Sequence, residues 1–173
     1  MVAIKHVFAS LFNDRAISYR VHQGYDHRGV ALSAGIQQMV RSDISASGVM
    51  FSIDTESGFE DVVFITSSFG LGEMVVQGAV NPDEYIVFKK NMAIIEKKMG
   101  TKKKQMVYGN NASLTNIVDV PQNKANSFCL SEKQIKQLAS WVMKIEDHYS
   151  RAYQKYCPVD VEWAIDGITN KLY

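Results

Sequence analysis

The stretch Val159-Asp160-Val161-Glu162-Trp163-Ala164-Ile165 alternates strictly between apolar side chains and polar or small ones. A β-strand points successive side chains to opposite faces, so this stretch predicts a strand with one apolar face and one face that carries Asp160 and Glu162. Asp166-Gly167 then predicts the turn of a hairpin. Because the sequence stops at Tyr173, early in the hairpin's second strand, we expect the chain to be cut there and the first strand to keep an unpaired edge.

The most secure helix follows Ser131. Ser131 and Gln134 have the spacing of a capping box, in which each residue satisfies a backbone N–H of the other at the start of a helix. Apolar residues then recur on one helical face at Ile135, Leu138, Val142, Ile145 and Tyr149.

Shorter apolar runs between turn residues predict the remaining elements. Two short helices are expected near the start, one over residues 4–12 and one that Asn13 caps and that continues through Tyr19. Strands are expected at 31–40, 47–53, 62–66, 85–88, 93–99, 105–108 and 117–120, with the first two paired. The fold class predicted is α+β, a mostly antiparallel sheet with a few flanking helices.

Composition narrows the classes of function. The 173 residues fit one domain, and 19 basic against 18 acidic residues leave a net charge of +1. Such a chain has no global field to gather nucleic acid or a membrane, and it has no apolar run long enough to span one. The two cysteines, Cys129 and Cys157, follow no disulfide or metal spacing, so free thiols and a cytoplasmic location are expected.

Asp160 and Glu162 are the first candidates for chemistry. They lie side by side on one strand face, backed by an apolar face that fixes them. Mg²⁺ is usually held by one or two carboxylates together with substrate phosphates, so the pair suits a nucleotide–metal site. The alternative is an ordinary solvated strand face, and the spacing alone favours that alternative.

The glycine turn Gly70-Leu71-Gly72-Glu73 is a second candidate, because glycines let backbone approach a phosphate closely. The dinucleotide-binding fingerprint requires a third glycine where Val75 stands, and the Gly24–Gly29 spacing lacks the lysine of a Walker A loop. The turn alone therefore favours a packing role.

Two further patterns favour structural roles. A lysine-rich stretch could attract RNA, but it lacks interleaved aromatic residues, so a solvated hairpin is the better interpretation. Its members are Lys89, Lys90, Lys97, Lys98, Lys102, Lys103 and Lys104. His22 and His27 lie five residues apart without a third ligand at a recognisable spacing, so no metal site is expected there.

The order of these segments resembles the nucleotide-binding ATP-grasp region of the phosphoenolpyruvate synthase (pyruvate, water dikinase) family. The blocks that carry the resemblance are SLFNDRAISYR (10–20), QQMVRSD (37–43), GVMF (48–51), DTESG (54–58), GLGEMVVQGAVNPD (70–83) and DVEWA (160–164). They are spread over nearly the whole chain.

The resemblance implies that residues 1–173 form part of an ATP-grasp domain, truncated at both ends. By motif position, Gln37 lines the nucleotide cleft near the hinge, and Glu162 holds Mg²⁺ with Asp160 in support. Glu73 is carried over as a nucleotide-binding residue that faces the cleft. No residue of this chain is assigned a catalytic role. Phosphoryl transfer requires this kind of positioning and charge neutralisation.

The resemblance also implies partners that this chain lacks. The family converts ATP, pyruvate and water to AMP, phosphoenolpyruvate and phosphate, with ATP as substrate and Mg²⁺ as cofactor. That reaction also needs a phosphohistidine domain, a pyruvate-binding domain and a glutamine and an arginine on the strand after Asp166-Gly167. We expect this chain to be inactive alone. The alternatives are a non-catalytic lobe that serves as an interaction or regulatory module and, more weakly, an RNA-binding module. Self-association through the unpaired strand edge is expected.

Overall fold

Residues 2–109 and 114–173 are described by a computed structural model, in which the chain divides into two units, Met1–Met39 and Val40–Tyr173. The first unit contains helix α1 (Val2–Ala9), a 3₁₀ turn (Ser10–Phe12) and helix α2 (Asp14–Gln23). Asn13 caps α2 as predicted, because its side-chain oxygen accepts a hydrogen bond from the backbone N–H of Ala16 at 2.8 Å.

The second unit contains two antiparallel sheets. The strands are β1 (Ala46–Phe51), β2 (Val62–Phe69), β3 (Asp83–Phe88), β4 (Ala93–Lys98), β5 (Lys104–Tyr108), β6 (Thr115–Asp119) and β7 (Asp160–Ala164). Five strands form the larger sheet in the order β4-β3-β2-β1-β7, and β5 pairs with β6. The helices are α3 (Glu73–Val76), α4 (Gln122–Ala125) and α5 (Glu132–Tyr153).

Helix α5 covers one side of the five-stranded sheet, which we call the helix face. The predicted capping box begins the helix, since Gln134 N–H donates to Ser131 Oγ at 3.4 Å and Ser131 N–H donates to Gln134 Oε1 at 2.9 Å. The core residues of α5 are Ile135, Leu138, Ala139 and Val142. They form one buried cluster with residues of β1, β2, β3 and β7, and the partly buried Ile94 of β4 packs against it. Burial of this apolar surface is the main source of stability of the unit.

The α+β class with a mostly antiparallel sheet is confirmed. One strand prediction is wrong, because residues 31–40 form no strand. The predicted partner of that stretch was β1, but both edges of β1 are occupied, by β2 on one side and β7 on the other. A second difference lies at Ser67-Ser68-Phe69, which continue β2 beyond the predicted end of that strand at residue 66.

Strand β7 takes the predicted orientation at the edge of the sheet. Trp163 and Ile165 are buried on the helix face, whereas Asp160 and Glu162 are exposed. Gly48 of β1 makes room for the indole, since a Cβ at position 48 would lie 2.9 Å from Trp163 Cζ2 and 2.0 Å from the Thr66 carbonyl oxygen. The glycine therefore permits a close approach that any other residue would block.

Asp83 and Lys102 form a buried ion pair at the start of β3. Both side chains are fully buried, and Lys102 Nζ donates to Asp83 Oδ1 and, at 3.0 Å, to the carbonyl oxygen of Gly100. The Gly100 N–H donates to Asp83 Oδ1 at 2.9 Å, and the Cys129 N–H donates to Asp83 Oδ2 at 2.9 Å. Lys102 is held in the left-handed region, with φ at 38°, so the backbone accepts strain to bring this lysine inside.

We expect Lys102→Met to destabilise the chain by about 3–5 kcal/mol, because it leaves the Asp83 carboxylate buried without its cation. Urea denaturation measures this loss. The double substitution Asp83→Asn with Lys102→Met should cost less than the sum of the two single substitutions.

Lys104→Met is the matched control for this prediction. Lys104 pairs with Asp119 at 2.7 Å, but the Asp119 side chain is 82% exposed. A solvent-exposed pair contributes at most about 1 kcal/mol. Equal losses for Lys102→Met and Lys104→Met would contradict a special role for the buried pair.

Candidate functional site

The side of the sheet opposite α5 carries the two predicted metal-binding carboxylates, and we call it the carboxylate face. The strand register places residues of neighbouring strands opposite one another in rows across this face. One row contains Glu162, Val49, Thr66, Glu84 and Lys98. The next row contains Asp160, Phe51, Phe64, Ile86 and Glu96. In the second row, apolar side chains separate the acidic groups at the two edges, Asp160 and Glu96.

Asp160 and Glu162 both point into solvent from β7. Residues two apart on a strand are separated by about 6.6 Å along the strand. Within residues 2–109 and 114–173, neither carboxylate has a hydrogen-bond or ion-pair partner. Their cross-strand neighbours, Phe51 and Val49, are apolar and offer no competing donor. Two free carboxylates on a strand fixed by the buried Trp163 fit the oxygen ligands that a hard divalent cation prefers.

Asp166 anchors the chain directly after β7. Its carboxylate accepts backbone hydrogen bonds from Arg41 at 3.0 Å, Ile168 at 3.0 Å and Thr169 at 2.8 Å, and the Thr169 hydroxyl donates to it at 3.1 Å. The backbone N–H of Arg41, followed by the groups of Thr169, lowers the pKa of Asp166 from its ordinary 3.8 to about 2. The predicted turn at Asp166-Gly167 is therefore held to Arg41.

The hairpin that this turn begins is short. Ala164 exchanges two backbone hydrogen bonds with Tyr173, at 3.0 and 2.9 Å, and Ile165 forms a bridge with Leu172. In the described part of the chain, β7 pairs over its length with β1 alone. The outer edge of Asp160–Glu162 is therefore an open strand edge.

Glu73 is the first residue of α3, which packs against β1 and β2. The residue before it, Gly72, lies against Ser47, since a Cβ on Gly72 would be 3.5 Å from Ser47 Oγ. Ser47 is opposite Ala164 in the register, so α3 lies over the carboxylate face. Glu73 is exposed, and its Oε1 accepts a hydrogen bond from Gln77 Nε2 at 2.9 Å.

Gln37, the other predicted nucleotide-binding residue, lies in the first unit. It is exposed and belongs to a stretch without helix or strand. The structure thus brings Asp160, Glu162 and the helix of Glu73 to one face of the second unit, and describes Gln37 within the first.

The glycine turn before α3 has the packing role that its pattern favoured. Gly70 has a φ of 87°, and a Cβ there would lie 2.5 Å from the carbonyl oxygen of Met106 in β5. The Leu71 N–H donates to that same oxygen at 2.9 Å, and the Ser47 hydroxyl donates to the carbonyl oxygen of Gly70 at 2.7 Å. Close contact with β5 therefore requires glycine at position 70.

The lysine-rich stretch is largely neutralised by acidic partners. Six of its seven lysines form ion pairs: Lys89 with Glu146, Lys90 with Asp61, Lys97 with Glu132, Lys98 with Glu84, Lys102 with Asp83 and Lys104 with Asp119. The interpretation as a charged hairpin surface holds for most of it, but Lys102 is buried instead of solvated.

One histidine of the pair considered in the sequence, His27, has a hydrogen-bond partner. His27 Nδ1 accepts a hydrogen bond from Arg20 Nε at 2.9 Å, which is a structural role. Both cysteines are free thiols, as predicted. Among residues 2–109 and 114–173, no three His, Cys, Asp or Glu side chains are grouped to hold a metal, and no helix is long and apolar enough to cross a membrane.

Sequence reasoning missed Thr66, Glu84 and Lys98 as members of the row that contains Glu162. Thr66 Oγ1 donates to the Val49 carbonyl oxygen at 3.2 Å, and Lys98 Nζ donates to Glu84 at 2.9 Å. Their placement depends on the register between four strands, which the pattern of a single strand does not reveal.

A family model and several curated proteins match this chain over all or nearly all of its length. The family model described as "Pyruvate phosphate dikinase, AMP/ATP-binding domain" matches residues 1–173. The chain is similar to phosphoenolpyruvate synthase of Escherichia coli (strain K12), at 60% identity over 100% of this chain and 22% of that protein. It is also similar to phosphoenolpyruvate synthase of Aquifex aeolicus, at 52% identity over 100% of this chain and 21% of that protein. Phosphoenolpyruvate synthase of Neisseria meningitidis serogroup B is 55% identical over 99% of this chain and 22% of that protein. The chain spans about a fifth of the length of these curated relatives.

Asp166→Asn should lower the melting temperature at pH 7, and the difference from the unsubstituted chain should shrink as the pH falls from about 4 to 2. A carboxyl with a lowered pKa stabilises the fold fully above its ordinary pKa of 3.8, and that contribution is lost as the pH falls through about 2. Melting curves by circular dichroism at several pH values measure the difference. Asp147→Asn, on the surface of α5, is the control, and a difference for Asp166→Asn that does not change with pH would refute the role of its charge.

Proposed function

Because the chain belongs to the pyruvate phosphate dikinase AMP/ATP-binding domain family, we propose that it is part of the MgATP-binding phosphotransfer domain of a phosphoenolpyruvate synthase. The enzyme as a whole would convert ATP, pyruvate and water to AMP, phosphoenolpyruvate and phosphate. This chain would contribute a share of the ATP site, as a partial ATP-grasp domain over residues 1–173, and would be inactive alone. The family match over the full chain carries the proposal.

The carboxylate face supports a role for Glu162 and Asp160 in holding Mg²⁺. Their carboxylates are exposed, and within the described ranges no protein group pairs with them. A bound Mg²⁺ would neutralise phosphate charge, which is what phosphoryl transfer demands. The contribution of this chain is to hold the two oxygen ligands on a strand that Trp163 fixes in the core.

Gln37 and Glu73 are proposed as nucleotide-binding residues. Glu73 lies on α3 over the carboxylate face, and one of its oxygens accepts from Gln77 while the other is available to a ligand hydroxyl. Gln37 is exposed and carries both an amide donor and an amide acceptor for a nucleotide. The remaining partners of the proposed enzyme, its phosphohistidine and pyruvate-binding domains, lie outside this chain. The cytoplasm stays the proposed compartment.

The RNA-binding alternative is disfavoured by the ion pairs of the lysine-rich stretch. A protein that binds nucleic acid through phosphates needs cations that are free to replace counterions. Here acidic side chains already neutralise six of the seven lysines.

Glu162→Gln should weaken MgATP binding by about tenfold or more, because a neutral amide loses the charge that attracts the metal. Calorimetric titration of MgATP measures the loss. The titration is best done in a chimera in which this chain replaces the matching part of the Escherichia coli relative, since the chain itself holds only part of the site.

Asp147→Asn is the control for this titration. Asp147 is an exposed carboxylate of α5, on the other side of the sheet, so its loss should leave MgATP binding unchanged. If the chimera binds MgATP equally well with Glu162→Gln, the metal role is refuted. If the unsubstituted chimera ignores MgATP, the non-catalytic interaction module becomes the better proposal.

The open edge of β7 leads us to propose that the chain self-associates when it is isolated. Asp160 and Glu162 direct backbone N–H and C=O groups to the same edge as Ala164, whose groups are taken by Tyr173. Light scattering at rising concentration should show a growing mass, and more so at high salt, since salt screens the repulsion between carboxylates of two copies. A monomer at all concentrations and salt levels would refute this proposal.

A further inference from the structure

A pocket of about 250 Å³ opens on the carboxylate face, over Phe64 and Ile86 of the row that contains Asp160. Its floor consists of Val62, Phe64 and Ile86 from β2 and β3, and its rim includes Phe59 and Ile95. We call it the Phe59 pocket. Phe59 is 51% exposed and Ile95 is 59% exposed, so the pocket shows a contiguous apolar surface to solvent.

The polar groups at the mouth of the pocket are already satisfied. The Asp54 carboxylate accepts hydrogen bonds from the Glu56 N–H at 3.2 Å and from the Ser57 hydroxyl. Ser57 Oγ accepts in turn from the Phe59 N–H at 3.3 Å. The cavity itself is therefore lined mainly by apolar side chains, with Asp54 and Ser57 held to each other at its mouth, which suits an aliphatic or aromatic side chain.

The surroundings of the pocket are strongly acidic. Asp54 lines it, and the hydrogen bond from Ser57 lowers the pKa of Asp54, which keeps it charged. Lys98 is close to three further carboxylates, since Glu84, and after it Glu96 and Glu56, raise the pKa of Lys98. Lys98 already pairs with Glu84 at 2.9 Å, so Asp54, Glu56 and Glu96 carry the negative charge that a segment entering the pocket would meet.

We propose that the Phe59 pocket docks one large apolar or aromatic side chain that is flanked by Lys or Arg, on a segment from another domain of the same enzyme. That the segment comes from another domain of the enzyme rests on the proposed function and on the finding that the chain spans about a fifth of its relatives' length. Two copies that met through this same face would bring their acidic rims together, so charge disfavours that arrangement.

The Phe59 pocket lies close to the candidate metal site. Phe64 in the floor stacks on Phe51, with ring centroids 6.3 Å apart, and Phe51 is opposite Asp160 in the register. A segment seated in the pocket would therefore lie next to the two carboxylates of the candidate metal site.

The test is a ¹⁵N NMR titration of this chain with the capped peptide Ac-Lys-Phe-Lys-NH₂. Amide signals of residues 57–62 and 94–96 should shift. Binding of Ac-Glu-Phe-Glu-NH₂ and of Ac-Lys-Ala-Lys-NH₂ should be about tenfold weaker, because the first loses the charge match and the second loses the apolar anchor. Phe59→Ala should weaken binding of the basic peptide to a similar extent. Ile117→Ala, which removes an exposed apolar side chain of β6, should leave that binding unchanged.

Equal binding of the acidic and basic peptides, or shifts outside the pocket, would overturn the proposal. The titration contains no nucleotide, so its result is separate from the MgATP test of the proposed function. Amide hydrogen exchange tests whether the docked segment comes from another domain of the enzyme. In the chimera, residues 57–62 and 94–96 should be protected relative to the isolated chain, and Glu96→Lys should remove that protection. Protection that appears instead in the isolated chain as its concentration rises would identify a second copy as the occupant and overturn the proposed source.

Discussion

The Asp83 carboxylate joins three parts of the second unit that are far apart in sequence. It receives the ammonium group of Lys102, the backbone N–H of Gly100 and the backbone N–H of Cys129. Tyr85 Oη also donates to it, at 3.3 Å. A fully buried carboxylate is tolerated only when such partners compensate its lost hydration. The start of β3, the turn into the β5–β6 hairpin and the entry into α5 are therefore fixed against one group.

The same burial keeps the neighbouring side chains unreactive. Desolvation, followed by the negative charge of Asp83, raises the pKa of the Cys129 thiol, so it stays protonated at neutral pH. Burial likewise raises the pKa of Tyr85, whose hydroxyl lies 3.3 Å from Ser67 Oγ. These groups form a structural network under the sheet, on the side away from the carboxylates that we assign to metal.

The sequence predicted correctly those elements whose pattern lies entirely within their own residues. The alternation in 159–165 and the capping box at Ser131 need no distant residue to be recognised, and both are confirmed. Residues 31–40 looked like a strand, but a strand needs a free edge, and whether β1 has one depends on β2 and β7. Lys102 was hidden in a run of lysines, because only the fold shows that one of them meets Asp83.

In the candidate site, too, some features were visible in the local sequence and others depend on the fold. The shared face of Asp160 and Glu162 comes from the two-residue period of one strand, so the sequence was sufficient. The Phe59 pocket brings a loop after β1 against Ile95 of β4, and no local pattern contains that contact. The roles of Gln37 and Glu73 came from family resemblance, which carries information about a ligand that folding physics alone does not supply.

The close fit of Trp163 over Gly48 has a spectroscopic consequence. The chain has two tryptophans, and the indole of Trp163 is buried one residue from Glu162, on the opposite face of the same strand. Its Nε1 has no hydrogen-bond partner within the described residues. Any event that shifts β7 changes the polarity around this indole, so strand β7 contains an intrinsic fluorophore that reports on the position of its own carboxylates.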